Sequence, residues 1–457
     1  MLKHVGKASL ALVTLVGLAL AWAIFAATTA TPSFDPTVHP EAVEIAQLQQ
    51  PDPEGTTRYP ELVDALANFQ AAMAGIVKEI VPPDGSPDEQ WVSFENVLTT
   101  YSKDTIGYGF KERSIANAEA AVDFVLERQL FAPVEDLLSA PNLSNPYVNW
   151  QDTNGEPLRI RDWNDRLYFQ AREYASTVAG CAKILADRNR IDDATDLILR
   201  NKTLPDVFLR QSTSTEHHVG GHATAEILAR AIELLLVHPN LDEEALAQLR
   251  SAQDRLSEFK PYVHVVNCVR LAIRDDVYRS HTASGHYIAS VGFELTSPRL
   301  YKRSGVQNFV EDVHGRYFHA RRDSSVRLLY SVLAPFAETG SQTDVEGQRA
   351  TLARVQTNFD IVTNRFRVVK NVRNRFLSRI RDETEHRARI TALGILLAMA
   401  EHRLDTGDWP TALDELVPDY LDTVPVNPLT GDPFEYEHEP GEPPSLECLG
   451  MKRRVID

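Results

Sequence analysis

The chain has 457 residues, with 47 Lys+Arg against 64 Asp+Glu and a formal net charge of −17. That balance argues against a nucleic-acid partner, whose phosphates require a basic footprint. Three cysteines, Cys181, Cys268 and Cys448, are too few and too widely spaced for a disulfide framework or a CxxC zinc site. An oxidising compartment would permit a Cys181–Cys268 bridge, but buried free thiols are the simpler expectation.

Ala8 to Ala27 is an uninterrupted apolar run of the roughly 20 residues needed to cross a bilayer. Lys3 and Lys7 precede it and the next basic residue is Arg58, so the positive-inside tendency keeps the N-terminus in the cytoplasm and translocates the rest. Thr28-Thr29-Ala30 would suit a signal peptidase, but the run is longer than the ~7–15 residue core of a cleaved signal peptide. Residues 1–30 are therefore read as an uncleaved transmembrane anchor. This predicts a single-pass protein of the inner (cytoplasmic) membrane with an extracytoplasmic body, the membrane being a partner through this helix. Residues 31–57 carry Pro32, Pro36, Pro40, Pro51 and Pro53 with several acids, and read as a flexible tether with a short helix at Glu41–Gln49.

From residue 58 to 358 the dominant period is helical. Leu62, Leu66, Phe69 and Ala72 mark a first helix, ended by a loop at Val81-Pro82-Pro83-Asp84-Gly85-Ser86-Pro87; Ile115, Ala118, Val122, Val125 and Leu126 mark a second. Leu167, Tyr174, Val178, Cys181 and Leu185, a break at Asp187–Arg190, then Ile191, Ala194, Leu197 and Ile198, spell an αα-hairpin. Ile227, Leu228, Ala231, Leu234 and Leu235 continue the series up to His238-Pro239-Asn240. Asn240 with Glu243 reads as a capping box opening a helix through Leu246, Leu249, Leu256 and Phe259. No 34-residue period is present, so the expected architecture is mainly α, a helical-hairpin array or irregular α-solenoid or bundle. Ser280–Gln342 reads as an insertion between helices, with Tyr287–Phe293 as a candidate strand.

Residues 359–404 predict one or two long helices. Arg365, Arg367, Lys370, Arg373, Arg375, Arg379 and Arg381 give the first half a basic face, suited to an acidic partner or lipid headgroups, or simply solvated and offset by Asp382, Glu383 and Glu385. Ile390, Leu393, Leu396, Leu397 and Leu404 make the second half a core helix. Residues 405–457 predict a small α+β module. Gly407 ends the long helix in a left-handed conformation, and Thr411 with Asp414 caps a short helix through Leu413, Leu416 and Val417 that Pro418 stops. Pro425, Pro428 and Pro433 enforce an extended path around a turn at Leu429-Thr430-Gly431-Asp432. Phe434 and Tyr436 then alternate with Glu435 and Glu437 as a half-buried strand, returning at Pro440-Gly441 to Ser445–Leu449.

The order of long helix, Gly407-Asp408-Trp409-Pro410, Leu413-Asp414-Glu415-Leu416-Val417-Pro418, Val424-Pro425-Val426-Asn427-Pro428, Gly431-Asp432-Pro433 and Phe434-Glu435-Tyr436 resembles the C-terminal part of type II secretion major pseudopilins. It is more similar still to the end of large uncharacterised membrane-anchored helical proteins of planctomycete-like bacteria. The resemblance covers about residues 390–450, and more weakly 168–259. It implies a docking or assembly unit, and it makes Asp422, Asn427, Thr430 and Asp432 candidate calcium ligands, although turn formation explains the same residue types. Two departures count against a pilin subunit. The apolar run after Gly6 lacks the Glu at its fifth position, and a body of more than 300 residues separates anchor from tail.

The sharpest chemical motif is Glu216-His217-His218-Val219-Gly220-Gly221-His222-Ala223-Thr224-Ala225-Glu226. On a helix, His218, His222 and Glu226 lie one turn apart along one face, as two imidazoles and a carboxylate of an open zinc site would. The general-base Glu that follows the first His in H-E-x-x-H enzymes is missing, and Gly220-Gly221 weaken the helix. His281, His286, His314 and His319 read as structural or exposed, and Asp192-Asp193 and Asp275-Asp276 as ordinary helix starts. No nucleophile elbow, P-loop or dinucleotide fingerprint occurs, so catalytic residues stay unassigned and no cofactor is expected. The sequence thus predicts a non-catalytic interaction or assembly scaffold with a protein partner of unknown identity, an accessory of a secretion or pilus-like machine being one special case. The alternative is a periplasmic metal-dependent hydrolase using His218, His222 and Glu226.

Overall fold

The computed structural model describes residues 58–80, 109–140, 143, 165–209, 215–258, 266, 270, 273–274, 277, 280–281, 320–338, 345–438, 444–448 and 451–454. The apolar run, the tether, the loop at 81–87 and the candidate strand at 287–293 lie outside these. Among the described residues, no helix is long and apolar enough to cross a membrane. The protein is mainly α-helical. Its contacts divide the described chain into two compact units, one within residues 262–380 and one combining 58–261 with 381–454.

In the larger unit, α1 (Tyr59–Ile80) buries Leu62, Leu66, Phe69, Met73 and Ile76, the three- and four-residue spacing of one helical face. α2 (Gly109–Glu127) buries Ala118, Ala121, Val122 and Val125, and the short α3 (Ala132–Leu138) follows with Pro133 in its first turn. α4 (Asp165–Asp187) and α5 (Ile191–Asn201) form the expected hairpin. Asn189, at φ 60°, takes the left-handed conformation that reverses the chain between them. Leu167, Tyr174, Val178, Cys181, Leu185, Ile191, Ala194, Leu197 and Ile198 are all buried. At roughly 1.5–3 kcal/mol per large apolar side chain, this face alone offsets much of the ordering entropy of two helices. Phe69, Phe131 and Tyr174 meet edge-on or stacked at centroid distances of 4.9–5.8 Å, tying α1 and α4 together. Cys181 is a free thiol sealed in this core, where burial pushes its ionisation far up.

α6 (Leu204–Leu209), α7 (Thr215–Leu235) and α8 (Glu243–Leu256) continue the series, each packing on a neighbour. The cap of α8 is Asp242, whose carboxylate accepts the Ala245 amide at 2.8 Å. Asn240 instead bonds Asn189 at 3.0 Å, and the cap two residues later is a single side-chain bond, with Ala245 where a capping box needs Glu or Gln.

In the smaller unit, α9 (Arg322–Glu338) lies inside the stretch read as an insertion and packs against α10 (Val345–Asp360). Phe359 belongs to the end of α10. Ile361-Val362-Thr363 then breaks the helix, with Val362 buried, and a 3₁₀ turn (Asn364–Phe366) leads into α11 (Arg367–Thr406), 40 residues long. Arg373 of α11 reaches back across the break to Asp360 at 2.5 Å. Buried His281 holds the start of this unit, with ring nitrogens 2.5 Å from the Val277 carbonyl and 3.3 Å from that of Ala320.

α11 contributes its residues from Arg381 onward to the larger unit. Gly407, at φ 86°, closes it by donating its amide to the Arg403 carbonyl. A 3₁₀ turn (Leu413–Leu416) stands where a short helix was expected, and Thr411 pairs with Glu415 through amide and hydroxyl instead of with Asp414. The Val417–Pro418 peptide is cis. β1 (Glu435–Glu437) pairs antiparallel with β2 (Ser445–Cys448), Tyr436 opposite Leu446, and a third strand that the sequence reading lacked, β3 (Met451–Arg454), pairs with β2. Leu413, Leu416, Phe434 and Leu446 join the same core as the helices.

Candidate functional site

The helix through the His/Glu motif forms despite its two glycines, and packing explains them. A Cβ on Gly221 would stand 2.5 Å from Leu209 Cγ, and one on Gly220 2.9 Å from the Tyr168 ring. The missing side chains let α7 press directly onto α6 and α4, a close approach that offsets the roughly 1 kcal/mol cost of each glycine in a helix. Thr224 secures the same turn by donating to the Gly220 and Gly221 carbonyls at 3.1 and 2.9 Å.

His222 and Glu226 then face α11. His222 Nε2 lies 2.8 Å from Glu383 Oε2, and the other oxygen of Glu383 accepts from Arg387 Nε at 2.6 Å. The imidazole of His386 stacks on that of His222 at 4.3 Å, with 20° between the ring planes. Its Nδ1 is 4.0 Å from Glu226 Oε1, while Glu226 Oε2 is bonded to Arg389. His386 is 1 % exposed, Glu383 2 % and His222 7 %, so the carboxylate between His222 and Arg387 is held in a region of low dielectric, where both contacts are strong and the loss of either is costly. Glu226 and Arg389 are partly exposed and form the outer edge.

The sequence-predicted triad is thus split by its partners. His222 and Glu226 are brought together on one helix face, yet each is committed to a different residue of α11. The backbone of His218 lies one turn before His222 on α7, and its side chain lies outside the described residues. Among the described residues, no group of three or more His, Cys, Asp or Glu side chains is arranged to hold a metal ion.

Glu383, His386, Arg387 and Arg389 were missed as a group. Glu383 was read as part of a solvated, charge-balancing face, and it is buried. The signal was present: Phe376, Ile380, Glu383, His386, Ile390, Leu393 and Leu397 are spaced by three, four and seven residues along one stripe, of which all seven are buried. Two polar residues inside an apolar stripe mark a buried polar contact.

Two other polar clusters are present, one local to a turn and one joining α3, α4 and α5. Asn427 Oδ1 accepts the Leu429 amide at 2.9 Å, Thr430 Oγ1 accepts that of Asp432 at 3.2 Å, and Asn427 N–H donates to the Asp432 carbonyl at 2.8 Å. Gly431, at φ 77°, completes this turn, so two of the four side chains proposed for calcium, Asn427 and Thr430, accept hydrogen bonds within it. Tyr174 donates to Asn201 at 2.7 Å, and Asn201 donates to Glu135 at 3.1 Å, a carboxylate that also meets Arg200 at 2.6 Å. Burial pushes the Tyr174 phenol well above its ordinary value.

Compared with protein-family models, with curated proteins and with solved structures, the chain matches none.

Proposed function

We propose that the protein is a non-catalytic interaction or assembly scaffold. In this reading a helical-hairpin array, tethered at the extracytoplasmic face of the inner membrane by the run Ala8–Ala27, presents the C-terminal α+β module to a protein partner. The observation that carries it is the use made of His222 and Glu226. The residues best suited to metal chemistry join α7 to α11, and α11 leads directly into the module, whose Leu413, Leu416, Phe434 and Leu446 share the helical core. Such an arrangement fixes a docking unit on a stiff support. It spends its buried polar groups on register, a role for which buried ionic contacts are well suited.

The test is crosslinking in intact cells, followed by purification of the tagged full-length protein from solubilised membranes. Co-recovery of envelope assembly components that depends on residues 405–457 is the expected outcome, and secretion or pilus components would name the machine. Stoichiometric zinc in the purified chain, lost together with a hydrolytic activity in the His218→Ala, His222→Ala double variant, would sink the scaffold reading in favour of a metal-dependent hydrolase.

A further inference from the structure

The smaller unit differs from the rest of the chain in charge. Residues 262–380 carry 18 Lys+Arg against 10 Asp+Glu, whereas the remainder carries 29 against 54. A net positive unit in a chain of net charge −17 concentrates attraction for anions there.

That unit also holds an apolar groove. Leu328, Val332, Val362 and Phe366 line it, with Ser331, Asn358 and Thr363 as its polar members, and its volume is about 180 Å³. The corner between α10 and α11 that forms one wall is held in place twice: Asn358 Nδ2 donates to the Val332 carbonyl at 3.2 Å, and the Arg365 carbonyl accepts the Ala320 amide at 2.8 Å. From this corner Ile361 stands 76 % exposed. Exposed Arg327 immediately precedes Leu328 and lies one turn before Ser331, and exposed Arg365 sits between Thr363 and Phe366. An exposed arginine thus stands next in sequence to lining residues on each of the two segments that form the groove.

We infer that this corner docks on the surface of a bilayer containing anionic phospholipid, with Ile361 entering the acyl boundary and Arg327 and Arg365 meeting headgroup phosphates. A protruding aliphatic side chain beside exposed arginines suits an interface that is negative at the headgroups and apolar just beneath. A groove of this volume takes one side chain or the end of one chain, too little to seat a partner helix. A small soluble anion would gain nothing from Ile361.

The test uses the full chain reconstituted into vesicles of phosphatidylcholine alone, or of equal parts phosphatidylcholine and phosphatidylglycerol. Amide hydrogen exchange is followed at residues 358–366, so that membrane attachment through any other segment does not register. Exchange there should slow at least tenfold in the anionic vesicles only. Because each surface arginine is worth about a fivefold change in binding to an anionic membrane, Arg327→Glu with Arg365→Glu should remove that protection, and lysine at both positions should keep it. Raising salt to ~1 M, where the Debye length falls to about 3 Å, should remove it in the unmodified chain, which covers failure of the double variant to fold. Equal exchange in the two vesicle types, or protection that survives high salt, overturns the inference. Protection in phosphatidylcholine that rises with protein concentration also overturns it, and points to a second copy of the acidic chain as the occupant.

Discussion

The α4–α5 hairpin and the α7–α11 junction join helices by opposite means. In the hairpin, Tyr174, Val178, Cys181 and Leu185 meet a face of Ile191, Ala194, Leu197 and Ile198, and almost every contact is apolar. In the junction, His222 and Glu226 of one helix meet Glu383, His386, Arg387 and Arg389 of another, more than 150 residues further along the chain. Apolar burial is non-directional and tolerates small slips in register. A buried carboxylate between His222 and Arg387 tolerates none, because a slip strands a charge. The hairpin thus supplies stability, while the junction decides how α11 and the C-terminal module sit on the helices.

That contrast can be broken most forcefully at Glu383. Glu383→Ala leaves His222 and Arg387 buried without their shared acceptor, and urea unfolding should show a loss of ~3–5 kcal/mol. Replacing His222, Glu383, His386 and Arg387 together by Leu, Met, Leu and Met should recover that loss, since well-packed apolar residues often match or exceed a buried ionic cluster. A quadruple variant as unstable as Glu383→Ala would show that the junction contributes more than register. Next in size is Gly221→Val, which forces side-chain atoms into Leu209 and should cost ~1–3 kcal/mol by overpacking, seen as a lower denaturation midpoint at unchanged slope.

Within the apolar hairpin, Tyr174→Phe removes one buried hydrogen bond and should cost ~0.5–1.5 kcal/mol. The same variant gives a pH signature. Burial raises the folded phenol above its unfolded value of 10.0, so the folded state resists forming the phenolate. The phenol's contribution is complete below that pH and falls as pH rises beyond it, and the Phe variant should lack this alkaline loss. The smallest effect is expected in the C-terminal module. Glu415 is held below its ordinary 4.5, first by the Thr411 hydroxyl and then by the Thr411 amide. Its contribution is present above the unfolded value and is lost as pH falls through the folded one, and a loss of protection at the Thr411 amide, relative to its intrinsic exchange rate at each pH, would report it.

The periodicity of Leu62, Leu66 and Phe69, of Leu167 through Leu185 and of Ile191 through Ile198 revealed α1, α4 and α5 directly, because one helical face must leave water whatever it packs against. Gly407 was equally legible, as was the extended backbone at Pro433, which bridges to Val426, since these backbone restrictions are local; Pro428, expected in extended chain, opens the turn instead. The site was half legible. His222 and Glu226 stood out by chemistry and spacing, but their partners lie on a helix far along the chain, and Glu383 reads as an ordinary surface acid until its place in the Ile380–Ile390 stripe is noticed. Gly220 and Gly221 looked like helix weaknesses and are contact points, because what a missing side chain makes room for is visible only once Leu209 and Tyr168 are in place.

By itself, then, the sequence determined the mainly helical class, the hairpin and the stops of the C-terminal module, all of which follow from local conformational preference and the period of apolar residues. Tertiary structure decided that His222 and Glu226 would meet Glu383 and Arg389 of α11 and that Asp242 would cap α8. It likewise decided that a third strand would complete the sheet, because these outcomes depend on which distant groups meet, and short-range preference carries no information about that.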